Sequence, residues 1–137
     1  MEARTRNALA ATSALALFLG ALGVWSLIRD PGSAPVMVGG DPMLDACAAI
    51  GMALSAGVEV RAGPGDEYPV IDELIAGLPL SVCSAGDDGV WRAIVYAPPE
   101  QPALDCGVAT PIAAATRYGG PCRSGWVRVD TIQTVAG

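Results

Sequence analysis

Residues 58–71 read VEVRAGPGDEYPVI, in which two short apolar runs flank a sharp bend. Val58 and Val60 fall on the same side of an extended chain, because side chains alternate along a β-strand. At the bend, Pro64 fixes its own φ, and the glycine on each side of it accepts backbone angles that a β-carbon forbids. The pattern predicts two β-strands joined by a tight turn.

Short apolar runs separated by turn residues continue on both sides of this bend. The run that begins at Cys47 reads CAAIGMAL, and Val90–Tyr96 reads VWRAIVY directly after the turn GDDG at 86–89. Turn residues recur so often from Cys47 onward that no helix of three turns fits between them. The sequence therefore predicts an all-β domain.

Composition excludes several classes of function. The 137 residues contain 14 acids, 8 arginines, no lysine and no histidine, for a net charge of −6. This charge argues against nucleic-acid binding, and the absence of histidine removes the commonest general base and zinc ligand. No nucleophile with a base and no metal set is recognisable, so we expect neither catalysis nor a cofactor or metal.

An uncharged run of 21 residues, 8–28, lies between Arg4, Arg6 and Arg29. At 1.5 Å per residue such a helix would span a bilayer core of about 30 Å. The basic N-terminus predicts a cytoplasmic segment 1–7 and an exported remainder. A cleaved signal peptide is the competing interpretation, but the run exceeds a signal core and no Ala-x-Ala follows it, so we expect a retained single-pass anchor in contact with membrane lipid.

Small residues recur every four positions within this predicted helix. Such a stripe allows a second helix to approach closely, although an alanine-rich segment also produces it by chance. The candidate helix-packing residues are Ala8, Thr12, Ala16 and Gly20.

All four cysteines follow the predicted anchor, where an oxidising compartment would favour disulfides. They are Cys47, Cys83, Cys106 and Cys122, and their spacing is unlike the paired knuckles of zinc sites. Residues 29–45, between the predicted anchor and the first cysteine, are rich in proline and glycine without any period, which predicts a linker. The folded domain is expected to cover 46–137.

Several motifs together resemble the bacterial SH3 (SH3b) domain. They are the VRAGPG bend at 60–65, YPVI at 68–71, LPLSV at 78–82, Trp91 and GWV at 125–127. More narrowly, DCGV at 105–108 and the segment 118–127 are similar to a group of membrane-anchored alphaproteobacterial envelope proteins with a cysteine-bracketed insertion. The resemblance implies a small, partly open SH3-like barrel with an insertion at 97–124. Because Cys106 and Cys122 bracket that insertion, we predict the pairs Cys47–Cys83 and Cys106–Cys122.

The resemblance also implies a binding groove between the bend and the hairpin at 86–89, where an extended peptide would lie against aromatic side chains. The candidate binding residues are Asp66, Glu67, Tyr68, Asp87, Asp88 and Trp91. Core packing is the alternative role for the aromatic residues, and solvated turns for the paired acids. Arg61 is expected to bind a backbone carbonyl or a carboxylate of the protein itself.

Residues 30–137 carry 13 acids against 5 arginines, hence a charge of −8 that would attract basic partners. The sequence predicts a non-enzymatic interaction module in the bacterial inner membrane, with its C-terminal domain in the periplasm. We expect it to serve as an accessory subunit that docks on a larger membrane protein complex through the helix and the acidic domain. The alternative is a module that binds peptidoglycan or a peptide of the cell envelope on its own.

Overall fold

The computed structural model of the chain describes residues 32–136. The predicted cytoplasmic segment 1–7 and the predicted membrane helix 8–28 lie outside the described residues, as do the packing positions Ala8, Thr12, Ala16 and Gly20. Within the described part, no helix combines the length and apolar character needed to cross a membrane.

The described residues form β-strands almost throughout, and the one helical element among them is a 3₁₀ turn at Val129–Thr131. The strands are β1 (Met37–Val38), β2 (Asp41–Asp45), β3 (Ala49–Ala53), β4 (Val58–Arg61), β5 (Val70–Leu74), β6 (Pro79–Ala85), β7 (Trp91–Tyr96), β8 (Pro111–Ile112), β9 (Thr116–Arg117), β10 (Arg123–Arg128) and β11 (Ile132–Ala136). The all-β prediction is confirmed at this level.

Seven of these strands form one antiparallel sheet in the order β11-β3-β6-β7-β10-β4-β5. The bend at 62–69 joins β4 to β5, whose register pairs Val58 with Leu74 and Arg61 with Val70. The 86–89 turn joins β6 to β7, and β10 then pairs along the whole of β7. The strand before the bend, β4, and the strand after the hairpin, β7, are therefore the two neighbours of β10 in the sheet.

One face of the sheet covers the main hydrophobic core. Val60, Leu80, Ile94 and Val127 are completely buried there. They come from four different strands. Side chains alternate between the two faces of a strand, and these four lie on the face that covers the core. Burial of such aliphatic side chains stabilises the fold by roughly 1.5–3 kcal/mol each.

A second apolar cluster lies on the opposite face of the same strands. Ala93 and Val95 of β7 belong to it, whereas their neighbour Ile94 belongs to the main core, so β7 is buried on both faces. Val36 and Val38 supply its cover from the N-terminal side, and Val108 from the insertion. Both sides of the central strand are therefore shielded from water.

This arrangement corrects the linker predicted at 29–45. Residues 32–45 belong to the same compact unit as the domain, and β1 and β2 pair with β9 and β8 of the insertion. Val36 and Val38 are buried because they cover the outer face of β7, which is itself apolar. A segment rich in proline and glycine is thus ordered by partners more than 60 residues away in sequence.

The cysteines form two disulfides, Cys47–Cys83 and Cys106–Cys122, as predicted. The first joins the segment before β3 to β6. The second closes the insertion, where the hydroxyl of Tyr118 donates to the carbonyl of Cys106 at 2.9 Å and accepts from the amide of Cys122 at 3.1 Å. The insertion is therefore held together at its base by one covalent bond and one bridging phenol.

Candidate functional site

A surface groove of about 320 Å³ opens where the β4–β5 bend approaches β7 and β10. Its walls combine charged side chains with one aromatic ring. The lining residues are Ser55, Gly57, Val58, Glu59, Arg61, Asp66, Trp91, Arg128 and Thr131. Sites that bind extended peptides commonly show this mixture of a ring and a few polar groups.

Arg61, at the end of β4, holds the bend in shape. Its Nη1 donates to the carbonyl oxygens of Asp66 at 3.0 Å and Tyr68 at 2.8 Å, while Nη2 lies 3.0 Å from a carboxylate oxygen of Glu59. If either carbonyl turned away, the bend would lose a hydrogen bond to a charged donor, which contributes more than a neutral one. The prediction that Arg61 binds backbone carbonyls of its own chain is confirmed, and the groove wall that carries Asp66 is fixed by it.

Trp91 forms the base of the groove, and Arg128 lies above it. The two residues are direct cross-strand partners in the β7–β10 register. The guanidinium carbon of Arg128 is 5.7 Å from the centre of the indole ring, within cation–π distance. Trp91 is only 4% exposed, so most of its ring packs in the second apolar cluster and a small part faces the groove.

Apart from Glu59, which lies 3.0 Å from Arg61, the charges in the groove are loosely paired. Asp66 lies 4.0 Å from both Arg61 and Arg128, and Arg128 lies 3.5 Å from Asp130. Exposed pairs at such distances contribute about 0–1 kcal/mol each. These carboxylates can therefore exchange an internal partner for an external cation at little cost.

Of the six predicted binding residues, the structure places Asp66 and Trp91 in the groove. Tyr68 is half-buried, with its ring packed against the open face of Gly63, and it does not line the groove. The Asp88 carboxylate accepts a hydrogen bond of 2.9 Å from the backbone amide of Val90, and this bond stabilises the hairpin turn. Both residues thus have structural contacts that account for their positions.

Glu67 and Asp87 are exposed and also lie outside the groove lining. The carboxylate of Glu67 lies over Gly65, and the two loops touch, since a β-carbon on Gly86 would be 3.4 Å from that of Pro64. The bend and the hairpin are therefore in contact, and the exposed carboxylates of Glu67, Asp87 and Asp88 on these two loops are called the acidic rim. No residue of the hairpin at 86–89 lines the groove.

The sequence interpretation did not identify Glu59 and Arg128 as groove residues. Glu59 points outward between two buried valines of β4, and Arg128 ends the GWVR strand opposite Trp91. Strand alternation indicates that both are outward-facing. Their convergence depends on the pairing of β10 with β7 and β4, which connects residues far apart in sequence.

A second polar cluster lies on the β5 side of the sheet. The Tyr96 hydroxyl donates to Asp72 at 2.7 Å, and Arg123 bridges Asp72 at 3.3 Å and Glu100 at 3.2 Å. Burial raises the pKa of Tyr96, and the hydrogen bond and charge of Asp72 raise it further. Burial alone would raise the pKa of Asp72, but the hydrogen bonds from Tyr96, the Glu73 amide and Arg123 outweigh it and lower that pKa.

Metal binding has no candidate among residues 32–136, where no three histidine, cysteine, aspartate or glutamate residues converge. Comparison of the chain with protein-family models, with curated proteins and with solved structures gives no match.

Proposed function

We propose that this chain is a non-catalytic, membrane-tethered interaction module of SH3-like architecture, in which the groove at Trp91 and Asp66 binds a basic segment of a membrane protein partner. The proposed location is the periplasmic side of a bacterial inner membrane, where the domain would act as an accessory subunit. The supporting observation is the groove itself, which places the weakly paired carboxylate of Asp66 beside the small exposed part of Trp91.

Charge supports the choice of a basic partner. Glu67, Asp87 and Asp88 on the acidic rim take part in none of the ion pairs within the described residues. Together with the net charge of −8 on residues 30–137, they would steer a cationic segment toward the groove over a distance of about 10 Å. An anionic wall polymer would be repelled by the same field.

The contacts expected inside the groove follow from its geometry. A lysine or arginine of the partner would meet the carboxylates of Asp66 and Glu59, and an apolar side chain beside it would cover the exposed part of Trp91. Each of the loose internal pairs of Asp66 would be replaced by a closer one. Only a small part of Trp91 is open to a partner, so the charge contacts supply much of the affinity and also set the association rate and the selectivity.

The test is quantitative co-purification of the full-length chain from detergent-solubilised membranes of its source cell. The site variant Asp66→Asn/Glu67→Gln removes two negative charges at the groove and rim. The matched control Asp45→Asn/Glu100→Gln removes the same charges elsewhere. We expect a stoichiometric membrane partner, retained by the control and reduced roughly tenfold by the site variant, because the loss of two charge interactions of ~0.7 kcal/mol each, one in the groove and one on the rim, sums to ~1.4 kcal/mol.

Equal loss in both double variants, or no loss in either, would contradict recognition at the groove. The alternative function has its own readout, which is co-sedimentation of the full-length chain with purified peptidoglycan. Retention by peptidoglycan without any stoichiometric membrane partner would replace the proposal with an envelope-binding role.

A further inference from the structure

The groove that is proposed to bind a cation already holds a cationic side chain of the chain itself. Arg128 ends β10 directly opposite Trp91 of β7, and its guanidinium carbon lies 5.7 Å from the centre of the indole ring. The same guanidinium lies between two carboxylates, 4.0 Å from Asp66 and 3.5 Å from Asp130. Arg128 therefore occupies the position over the ring, beside the carboxylate that a basic partner would use.

The contacts that hold Arg128 in this position are weak. Within residues 32–136, its side chain takes part in the two loose ion pairs and the ring contact but donates no hydrogen bond, and 45% of it is exposed. Arg61 in the same groove donates three hydrogen bonds and is only 20% exposed. Exposed ion pairs and exposed cation–π contacts each contribute little. A second cation can therefore replace Arg128 more easily than it can replace Arg61.

Arg128 also limits how much of Trp91 a partner can reach. Most of the indole packs in the second apolar cluster, and only the side that lines the groove is left for an external contact. The guanidinium of Arg128 lies over the ring, and Trp91 is 4% exposed with the arginine in place. A partner side chain would contact the ring more fully only after Arg128 has moved.

Asp130 gives the displaced arginine an alternative partner. It lies two positions further along the chain, in the 3₁₀ turn at Val129–Thr131, where it is exposed and does not line the groove. Arg128 can therefore leave the ring and keep its pair with Asp130, while the carboxylate of Asp66 becomes available to an incoming cation.

We propose that Arg128 is an internal competitor for the groove, which a cationic side chain of the partner displaces from Trp91 and Asp66 toward Asp130. This inference rests on the proposed function, because it concerns the regulation of the same groove. The apparent affinity of a partner is then its intrinsic affinity reduced by the fraction of chains in which Arg128 has left the ring. Arg128 thereby disfavours isolated cations and selects a segment whose further contacts offset the displacement.

The experiment is an NMR titration of the full-length chain in detergent micelles with the peptide acetyl-Gly-Ala-Arg-Ala-Gly-amide, which is charged only at its arginine. Arg128→Ala removes the competitor. Arg117→Ala is the matched control, because Arg117 is also an exposed arginine on a strand but lies outside the groove lining. We expect the dissociation constant to fall roughly threefold to tenfold in Arg128→Ala and to change by less than about twofold in Arg117→Ala.

Nuclear Overhauser effects (NOEs) measure the displacement itself, which is necessary because the loss of a positive charge alone would also favour a cationic peptide. In the free wild-type chain, the side-chain protons of Arg128 should show NOEs to the ring of Trp91. At saturation with the peptide, NOEs from the peptide arginine to the ring should replace them. If the contacts between Arg128 and Trp91 persist at saturation, the proposal is wrong whatever the affinity of Arg128→Ala.

Asp66→Asn separates this inference from the proposed function. If Asp66→Asn weakens peptide binding and Arg128→Ala does not strengthen it, the groove binds cations but Arg128 does not compete for it. If no form of the chain binds the peptide, or if neither substitution changes its binding, both proposals are overturned. Circular dichroism of each variant establishes that the fold is intact.

Discussion

The indole of Trp126 donates a hydrogen bond of 3.0 Å to the carbonyl of Ala34, across 92 positions of the sequence. Ala34 in turn donates from its amide to the carbonyl of Ala62, next to the bend. These two bonds attach the segment before β1 to the centre of the sheet. The order of this segment therefore depends on β10 and β4 rather than on its own composition.

Trp126→Phe should release the segment at 33–38 while leaving the sheet folded. Phenylalanine fills most of the buried volume but cannot donate, so we expect a loss of about 1–3 kcal/mol from the free energy of unfolding, because the Ala34 carbonyl loses its partner. Hydrogen exchange should show faster exchange of the Val36–Val38 amides than in the wild-type chain. Unchanged protection there would show that the indole bond does not order the segment.

Removal of each disulfide should have a different effect. In the chain-entropy model, the 16-residue separation of Cys106–Cys122 corresponds to about 3 kcal/mol and the 36-residue separation of Cys47–Cys83 to about 4 kcal/mol. We expect replacement of both Cys106 and Cys122 by serine to loosen the insertion around Val108. The double variant at Cys47 and Cys83 should lower the midpoint of urea unfolding for the whole domain. Equal midpoints for the two variants would contradict this difference.

Gly125→Ala should destabilise the sheet. A β-carbon at Gly125 would meet the side chain of Val60 and lie 3.0 Å from the carbonyl of Arg61, so β4 and β10 would have to separate. Overpacking of this kind costs about 1–3 kcal/mol, measured as the change in the free energy of unfolding in urea. Gly119→Ala is the control, because a β-carbon added there would have no atom within 4 Å, and it should change stability by less than about 0.5 kcal/mol.

Local sequence was sufficient for the strands and the bend. Short apolar runs and turn residues predicted β3, β4, β5 and β7, and the cysteine pairing was also correct. The order of residues 32–45 could not be predicted in this way, because Met37 pairs with Arg117 and no periodic pattern marks either strand. A two-residue strand has no readable period, so only its distant partner reveals it.

The candidate site shows the same division between local and distant information. Asp66 and Trp91 were predicted as binding residues because the motifs that resemble the bacterial SH3 domain implied a groove beside the bend. Glu59 and Arg128 reach the groove through the register of β4 and β10 with their neighbours, which no short motif contains. Asp88 and Tyr68 were assigned to binding, whereas their contacts are with a backbone amide and with Gly63.

Tyr96→Phe should remove an alkaline loss of stability. The pKa of Tyr96 is raised above its usual 10.0 in the folded chain, so its contribution to stability is complete below pH 10 and declines as the pH rises further. Wild-type unfolding free energy should therefore fall above pH 10, and that of Tyr96→Phe should fall less. The chain has no lysine and only three tyrosines, so few other groups titrate in this range. An identical alkaline slope in both proteins would contradict the role of this hydroxyl.

Tyr96→Phe should also change stability at neutral and acidic pH, because the Tyr96 hydroxyl donates to Asp72. The pKa of Asp72 is lowered from 3.8, so its contribution is present at neutral pH and is lost as the pH falls through the acidic range. Without the hydroxyl of Tyr96, the carboxylate loses its shortest hydrogen bond, and we expect a loss of about 1 kcal/mol at pH 7. Below pH 3 the difference between the two proteins should shrink, as measured by urea unfolding.

Arg61→Lys should distort the bend although it keeps the charge. A single ammonium cannot match the guanidinium fork that reaches the carbonyls of Asp66 and Tyr68 and the carboxylate of Glu59 together, so at least one carbonyl is left without its donor. We expect a loss of about 1–2 kcal/mol in unfolding free energy and faster amide exchange over 62–69. Arg128→Lys alters only exposed, loosely held ion pairs and the cation–π contact with Trp91, and it should cost less than about 1 kcal/mol. Equal losses for the two variants would mean that the carbonyl contacts of Arg61 do not hold the wall of the groove.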